Sequence, residues 1–220
     1  NGKDYFLNNI LSHHMQQSEI PTVMQILSEE TKKLPTPIVS EYAIKEGRNP
    51  FKALISTVLS LRTKDSTTSK ATDRLFSLAN NPSDMQKLPV KKIEEAIYPV
   101  GFYITKAKRI PEICKILLEK FNSVVPDEID VLLTLPGVGR KTANLVLTQG
   151  YGKLGICVDV HVHRISNRLG YVKTKMPNET EFALRKKLPT EYWIPYNDYL
   201  VAWGQNICKP ISPLCSTCTI

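Results

Sequence analysis

Hydrophobic residues recur at helical spacing along nearly the whole chain. After Asn49 and Pro50, for example, apolar residues at positions 51, 54, 55, 58 and 59 fall on one face of a helix. No run alternates convincingly between apolar and polar residues, so the pattern predicts an all-α fold. Further helices are predicted after 65–66 and over 90–97, 106–121, 129–133, 140–148, 160–169, 179–187 and 196–205.

Proline and polar residues mark the expected ends of these helices. Asp65 or Ser66 can cap the second helix, and the Asn-Asn-Pro run at 80–82 breaks it. Pro111 lies inside the segment 106–121, where it predicts a kink or a later helix start. The chain thus reads as helices joined by short loops.

A glycine-rich turn precedes the segment predicted as a helix at 140–148. Gly137 and Gly139 flank Val138, and glycine lets the backbone turn sharply and present successive N–H groups. The dipole and unpaired amides of the following helix add to an anion site. We therefore expect a helix-hairpin-helix that binds a DNA backbone through Gly137, Val138, Gly139, Arg140 and Thr142. A plain turn between helices is the alternative, and the basic neighbours of the turn weigh against it.

Two charged residues near this turn have the chemistry of catalysis. Lys141 lies in the first turn of the helix, where it can contact phosphate or act as a Schiff-base nucleophile. Asp159 follows eighteen residues later, directly after an apolar run. A carboxylate in such a place is expected to be partly buried, and it can cap the next helix or stabilise a cation.

Charge and cysteine content narrow the class of protein. Lysine and arginine number 29 against 21 acidic residues, a net charge of +8 that favours a polyanionic partner, although a basic protein without one remains an alternative. No apolar run is long enough to span a membrane, and the N-terminal stretch lacks the apolar core of a secretion signal. We expect an intracellular monomer, cytoplasmic and nucleoid-associated if the source is prokaryotic.

Three of the five cysteines lie in the last thirteen residues. Cys208, Cys215 and Cys218 are spaced C-x6-C-x2-C, which fits metal ligation in a reducing compartment better than a disulfide framework. Cys114 and Cys157 lie in apolar runs and are expected to be packing residues.

The motifs together resemble the endonuclease III family of helix-hairpin-helix DNA glycosylases. The resemblance rests on LPGVGRKTAN at 135–144, the VDxH segment ending at His161, GFYITKAKRI at 101–110 and the terminal cysteines. It spans about Pro50 to Cys218 and implies two helical lobes with DNA in the cleft between them. A six-helix lobe with the hairpin is expected at 43–153, and a second lobe with the cluster loop at 1–42 and 154–220.

The resemblance also implies a reaction. Lys141 is then the nucleophile and Asp159 the catalytic carboxylate of a bifunctional glycosylase and abasic-site lyase. Its partner is double-stranded DNA with a damaged base or an abasic site, its substrates are oxidised pyrimidines, and it cleaves the strand 3′ to the site by β-elimination. A mismatch uracil or thymine glycosylase is one alternative, although such relatives often lack the lysine. A non-catalytic DNA-binding protein is another, and the joint presence of both charged residues argues against it.

Two further site features follow from the resemblance. Cys208, Cys215 and Cys218 match ligands of a [4Fe-4S] cluster whose fourth cysteine would fall at position 224, beyond Ile220. A missing tail and an incomplete or absent cluster both remain open, and zinc is a weaker alternative. Arg62 stands where many bacterial relatives have glutamine, so it is expected either to fill the gap left by a flipped base or to contact phosphate as a surface arginine.

Overall fold

A computed structural model describes residues 14–34 and 47–220 of the chain. Most of the N-terminal stretch that was considered for a secretion signal lies outside the described residues. So does the predicted lobe boundary between residues 42 and 43, and the predicted lobes stay a prediction.

The described residues are helical and contain no strand, which confirms the predicted all-α class. Short 3-10 turns and one π-helical segment, Val146–Tyr151, accompany the α-helices. The α-helices are α1 (Ile20–Glu30), α2 (Pro50–Ser60), α3 (Asp65–Leu78), α4 (Pro82–Lys87), α5 (Val90–Ile97), α6 (Tyr103–Phe121), α7 (Ile129–Leu132), α8 (Arg140–Leu145), α9 (Val160–Arg168), α10 (Pro177–Lys187) and α11 (Trp193–Asn206).

The chain forms two compact units, which we describe separately. The hairpin unit is Pro37–Gly155 and contains α2 to α8 and the π segment. The terminal unit combines Asn1–Thr36 with Ile156–Ile220 and contains α1 and α9 to α11. Each unit has its own hydrophobic core.

The hairpin unit is built around α2 and α6. Helix α2 begins where Asn49 accepts a hydrogen bond from the Lys52 amide and Pro50 supplies a preset φ. Helix α6 packs against α4 and α5, and α2 packs against α3, α8 and the π segment. The apolar stripes that the sequence predicts are buried in this core, which includes Leu54, Ile55, Leu75, Met85, Ile97 and Ile110.

Several predicted boundaries in this unit are wrong. The N-cap of α3 is Lys64, without a side-chain hydrogen bond, so neither Asp65 nor Ser66 caps it. Helix α6 begins before residue 106 and runs through Pro111 without a break. Helix α4, which the sequence did not predict, begins directly at the expected break, because the Asn81 side chain accepts from the Asp84 amide.

In the terminal unit, α1 and α9 pack against α11, and α10 packs against α9. The sequence predicted α9 to α11 but not α1, although Ile20, Met24 and Leu27 are spaced on one helix face and buried. Among the described residues, no helix combines the length and apolarity needed to cross a membrane.

The core of the hairpin unit predicts a large difference between two isoleucines of α6. Ile110 is fully buried, whereas Ile104 is 48% exposed. We expect Ile110→Ala to lower the free energy of unfolding by about 2–5 kcal/mol, because it leaves a cavity. The matched change Ile104→Ala should cost less than about 1 kcal/mol. Urea unfolding of both variants measures this, and equal losses would show that the core is wrongly located.

Candidate functional site

The turn between α7 and α8 is held by Gly137. Its φ is +75°, in the left-handed region that favours glycine. A Cβ at this position would also collide with the Arg109 side chain, which lies directly on the turn from α6. The Val138 amide donates to the Leu135 carbonyl at 3.1 Å and closes the turn. The left-handed φ therefore favours glycine at position 137, and any larger residue there would also displace the Arg109 side chain.

Helix α8 begins at this turn with a basic first turn. Gly139 is its N-cap, and space is open where a Cβ would stand. Arg140 and Lys141 are the first two helical residues, and both are partly exposed. The first amides of a helix have no acceptor within it, so two cations and a helix N-terminus here favour an anion.

Two predicted DNA contacts face inward instead. Val138 is 6% exposed and joins the core of the hairpin unit, and Thr142 is 1% exposed. Their contribution to DNA binding stays a prediction. Their burial means that the inner side of the hairpin is packed against the rest of the hairpin unit.

The helix that carries Lys141 is shorter than predicted. The α-helix ends at Leu145. The chain then continues as the π segment, in which backbone hydrogen bonds run from residue i to residue i−5. The Arg48 guanidinium donates to the Thr148 carbonyl at 2.6 Å, and Gly150 passes within close range of Pro50. These contacts join the π segment, which follows α8, to the start of α2.

Asp159 is 8% exposed and is the N-cap of α9. Its Oδ1 accepts from the amides of His161 at 2.8 Å and Val162 at 2.9 Å. The capping role considered from the sequence is therefore confirmed, for a helix that begins at Val160. The two amides fix the orientation of the carboxylate.

A second set of contacts supports the start of α9. Arg164 donates to His161 Nδ1 at 3.1 Å and to the carbonyls of Gly204 and Cys208. Because a guanidinium only donates, Nδ1 must accept, which places the proton of the neutral ring on Nε2. Glycine is needed at 204, since a Cβ there would stand 2.5 Å from His161 Nδ1.

Arg62 is exposed and lies in the loop that follows α2. Its φ is +54°, a left-handed conformation that costs a non-glycine residue about 1–2 kcal/mol. The Arg62 guanidinium lies 5.6 Å from the ring centre of Phe102, which is itself left-handed and 62% exposed. The sequence did not single out Phe102 as a site residue, and an exposed aromatic inside GFYITKAKRI was the available signal.

Sequence reasoning also missed Lys106, which is 4% exposed on α6. Burial, and secondarily the charge of Arg109, lower the pKa of Lys106 to about 8. Its ammonium binds the backbone of the loop that carries Arg62. The available signal was a lysine within the apolar stripe of a helix.

The three C-terminal cysteines follow α11 and differ in exposure. Cys208 and Cys218 are partly buried, and Cys215 is exposed. Arg168 donates to Cys208 Sγ at 3.2 Å and to the carbonyls of Lys209 and Pro210. Within residues 14–34 and 47–220, no three His, Cys, Asp or Glu side chains form a group that could hold a metal ion. The three thiols therefore do not form a metal-binding group in the described part of the chain.

The predicted residues divide between the two units. The turn, Lys141 and Arg62 belong to the hairpin unit, and Asp159 and the three cysteines belong to the terminal unit. Each unit thus supplies one of the two residues expected to carry the chemistry.

Comparison with known proteins gives consistent matches. Residues 55–190 match the profile of the HhH-GPD superfamily of base excision DNA repair proteins. The chain is 52% identical to endonuclease III of Thermotoga maritima over 170 residues, which is 77% of this chain and 80% of that protein. It is 38% identical to endonuclease III of Escherichia coli K12 over 172 residues, 78% of this chain and 82% of that protein. A solved structure of a trapped endonuclease III–DNA covalent intermediate superposes with a TM-score of 0.83 and 34% identity, covering 93% of both chains.

The two glycines of the turn should respond differently to the same substitution. We expect Gly137→Ala to lower the free energy of unfolding by about 1–3 kcal/mol, because it combines a left-handed φ with the collision with Arg109. Gly139→Ala should cost less than about 1 kcal/mol, because its φ of −99° suits alanine and its Cβ position is open. Thermal and urea unfolding compare the two, and a loss at Gly139 that matches that at Gly137 would contradict the described turn.

Proposed function

The chain belongs to the HhH-GPD superfamily of base excision DNA repair proteins, and we propose that it excises oxidised pyrimidines from double-stranded DNA. It is a DNA glycosylase that also cleaves abasic sites. The observation that carries the proposal is the position of Lys141, the second residue of the helix that leaves the glycine turn.

The hairpin is proposed to hold one DNA strand. Gly137 and Gly139 bring the backbone of the turn close to a phosphate, and Arg140 adds a positive charge. Contacts of this kind position a protein on DNA without reading its sequence, which suits an enzyme that must act at many sites. The anchored turn then sets the distance between the bound phosphate and Lys141.

Lys141 is proposed to attack C1′ of the deoxyribose after the damaged nucleotide is flipped out of the stack. A bond forms between Nζ and C1′, the glycosidic bond breaks, and the base leaves with the bonding electrons and takes up a proton. Ring opening gives an iminium ion that acidifies the C2′ hydrogen. Loss of that proton expels the 3′ phosphate by β-elimination, and hydrolysis of the iminium frees the lysine.

Asp159 is proposed to stabilise the positive charge that develops on the sugar. Because the α9 amides bind one carboxylate oxygen, the side chain keeps its orientation when DNA enters. Preorganised charge of this kind costs no reorganisation during the reaction.

Arg62 and Phe102 are proposed to contact the bases around the flipped nucleotide. A guanidinium offers a planar fork of donors to an orphaned base, and an exposed ring offers a stacking face. Their contact at 5.6 Å places both groups on one surface of the hairpin unit.

The resemblance supports a [4Fe-4S] cluster as cofactor, with Cys208, Cys215 and Cys218 as three of its thiolate ligands. Such a cluster would cross-link the segment that follows α11 through these thiolates. The observed arrangement of the cysteines does not form a metal group, and no step of the reaction above depends on one.

Borohydride trapping tests the proposed nucleophile. Wild-type protein mixed with duplex DNA carrying 5-hydroxycytosine, an oxidised pyrimidine, should give a covalent complex, because borohydride reduces the iminium. Lys141→Gln should abolish the complex while DNA binding, measured by fluorescence anisotropy, persists. Lys120→Gln removes the same charge from an exposed position at the end of α6 and should trap like wild type. A trapped complex with Lys141→Gln would contradict the proposal. So would wild-type protein that binds this DNA but neither forms a trapped complex nor cleaves it.

Substitutions of Asp159 separate its capping role from its charge. Asparagine keeps an oxygen that can accept from the α9 amides, so Asp159→Asn should fold with nearly wild-type stability. Its single-turnover excision rate should nevertheless fall by about 10²- to 10³-fold, as expected for a lost electrostatic contact. Asp159→Ala should lose the same activity and about 0.5–2 kcal/mol of stability. An Asp159→Asn protein that excises within about tenfold of wild type would show that the charge is dispensable.

A further inference from the structure

The side chain of Lys106 ends inside the loop that connects α2 to α3. Its ammonium donates to the Leu59 carbonyl at 2.8 Å and to the Leu61 carbonyl at 2.6 Å. A third, longer contact reaches Thr63 Oγ1 at 3.4 Å. An ammonium has three N–H groups, so each is directed at an acceptor on either side of Arg62.

The Lys106 ammonium lies beside the backbone carbonyls at the C-terminal end of α2. Helix α2 ends at Ser60, and the last carbonyls of a helix have no amide partner within it. A cation placed there satisfies these carbonyls and opposes the negative end of the helix dipole. Because Lys106 is 4% exposed, water cannot readily replace it if the side chain is removed.

A second contact joins this loop to the residues that precede α6. The Gly101 amide donates to Thr63 Oγ1 at 3.1 Å, and a Cβ on Gly101 would stand 2.5 Å from the Arg62 carbonyl. The two backbones therefore touch, and each turns through a left-handed residue, Arg62 in one and Phe102 in the other. Lys106 lies one helical turn beyond Phe102, and its amide donates to the Phe102 carbonyl.

We propose that Lys106 is a positioning residue that fixes the Arg62 loop in its left-handed conformation, so that Arg62 and Phe102 enter DNA as one preformed surface. This inference rests on the DNA-contacting role proposed for Arg62. Helix α6 then serves both DNA-contacting parts of the hairpin unit, since Arg109 on the same helix lies on the glycine turn. Lys106 itself touches no DNA and takes no part in bond making.

A double-mutant cycle tests whether Lys106 acts through Arg62. Lys106→Met should lower the single-turnover excision rate on duplex DNA carrying 5-hydroxycytosine by on the order of 10- to 100-fold, as expected for a misplaced contact. The loss should be larger than that for cleavage at a preformed abasic site, where no base has to be displaced. Arg62→Ala should cause a similar loss, and the double variant should lose little more than either single variant.

Three comparisons complete the experiment. Lys106→Arg should restore part of the rate because it keeps the donors, and Lys108→Met, an exposed lysine on the same helix, should behave like wild type. If Lys106→Met does not fold, Thr63→Val weakens the same contacts and carries the same cycle. Losses that multiply in the double variant, or an effect of Lys108→Met equal to that of Lys106→Met, would overturn the proposal.

A readout without activity keeps the two proposals apart. Arg62 is a trypsin site, and in Lys106→Met the released loop should be cut after Arg62 on the order of tenfold faster than in wild type or Lys108→Met. An unchanged cutting rate would overturn the positioning role. Absence of excision by wild type with the trypsin difference intact would instead overturn the proposed function and the role of Arg62 in it.

Discussion

The left-handed turn at Gly137 is the constraint on which the hairpin depends. It lets the chain reverse between α7 and α8 within a few residues, and it leaves room for Arg109 to lie on the turn. A Cβ here would displace the Arg109 side chain from the turn, and the left-handed φ would be strained. Because α8 begins directly after the turn, the same constraint sets where its amides point and where Lys141 stands. The phosphate contact and the nucleophilic role proposed for this region therefore depend on one backbone conformation.

The helical fold could be predicted because its apolar stripes are long and regular. Helix α2 shows this best, since Asn49 and Pro50 mark its start and its stripe is the buried face. Helix α4 was not predicted because its six residues are too few to show a helical pattern of apolar positions, although Asn81 and Pro82 are good start signals. The predicted start of α6 lay three residues late, and the helix continues through Pro111, so a proline alone does not mark a helix start.

The candidate site was predictable only where function leaves a local motif. Lys141 and Asp159 stand in short, recognisable segments, and the structure adds that Asp159 caps α9. Lys106 and Arg109 act through contacts with residues that are distant in the sequence. Lys106 binds backbone carbonyls, which every residue has, so the identity of its partners gives no sequence signal. The cysteine spacing was equally clear, and the [4Fe-4S] cluster that it indicates stays a prediction, since the described residues contain no group of three such ligands.

In the proposed reaction, the glycine turn places Lys141, and no other amine, at the sugar. Mass spectrometric mapping of the borohydride-reduced complex after digestion of protein and DNA measures this directly. The account predicts the sugar remnant on Nζ of Lys141. A remnant on any other lysine or on the terminal amine would contradict it.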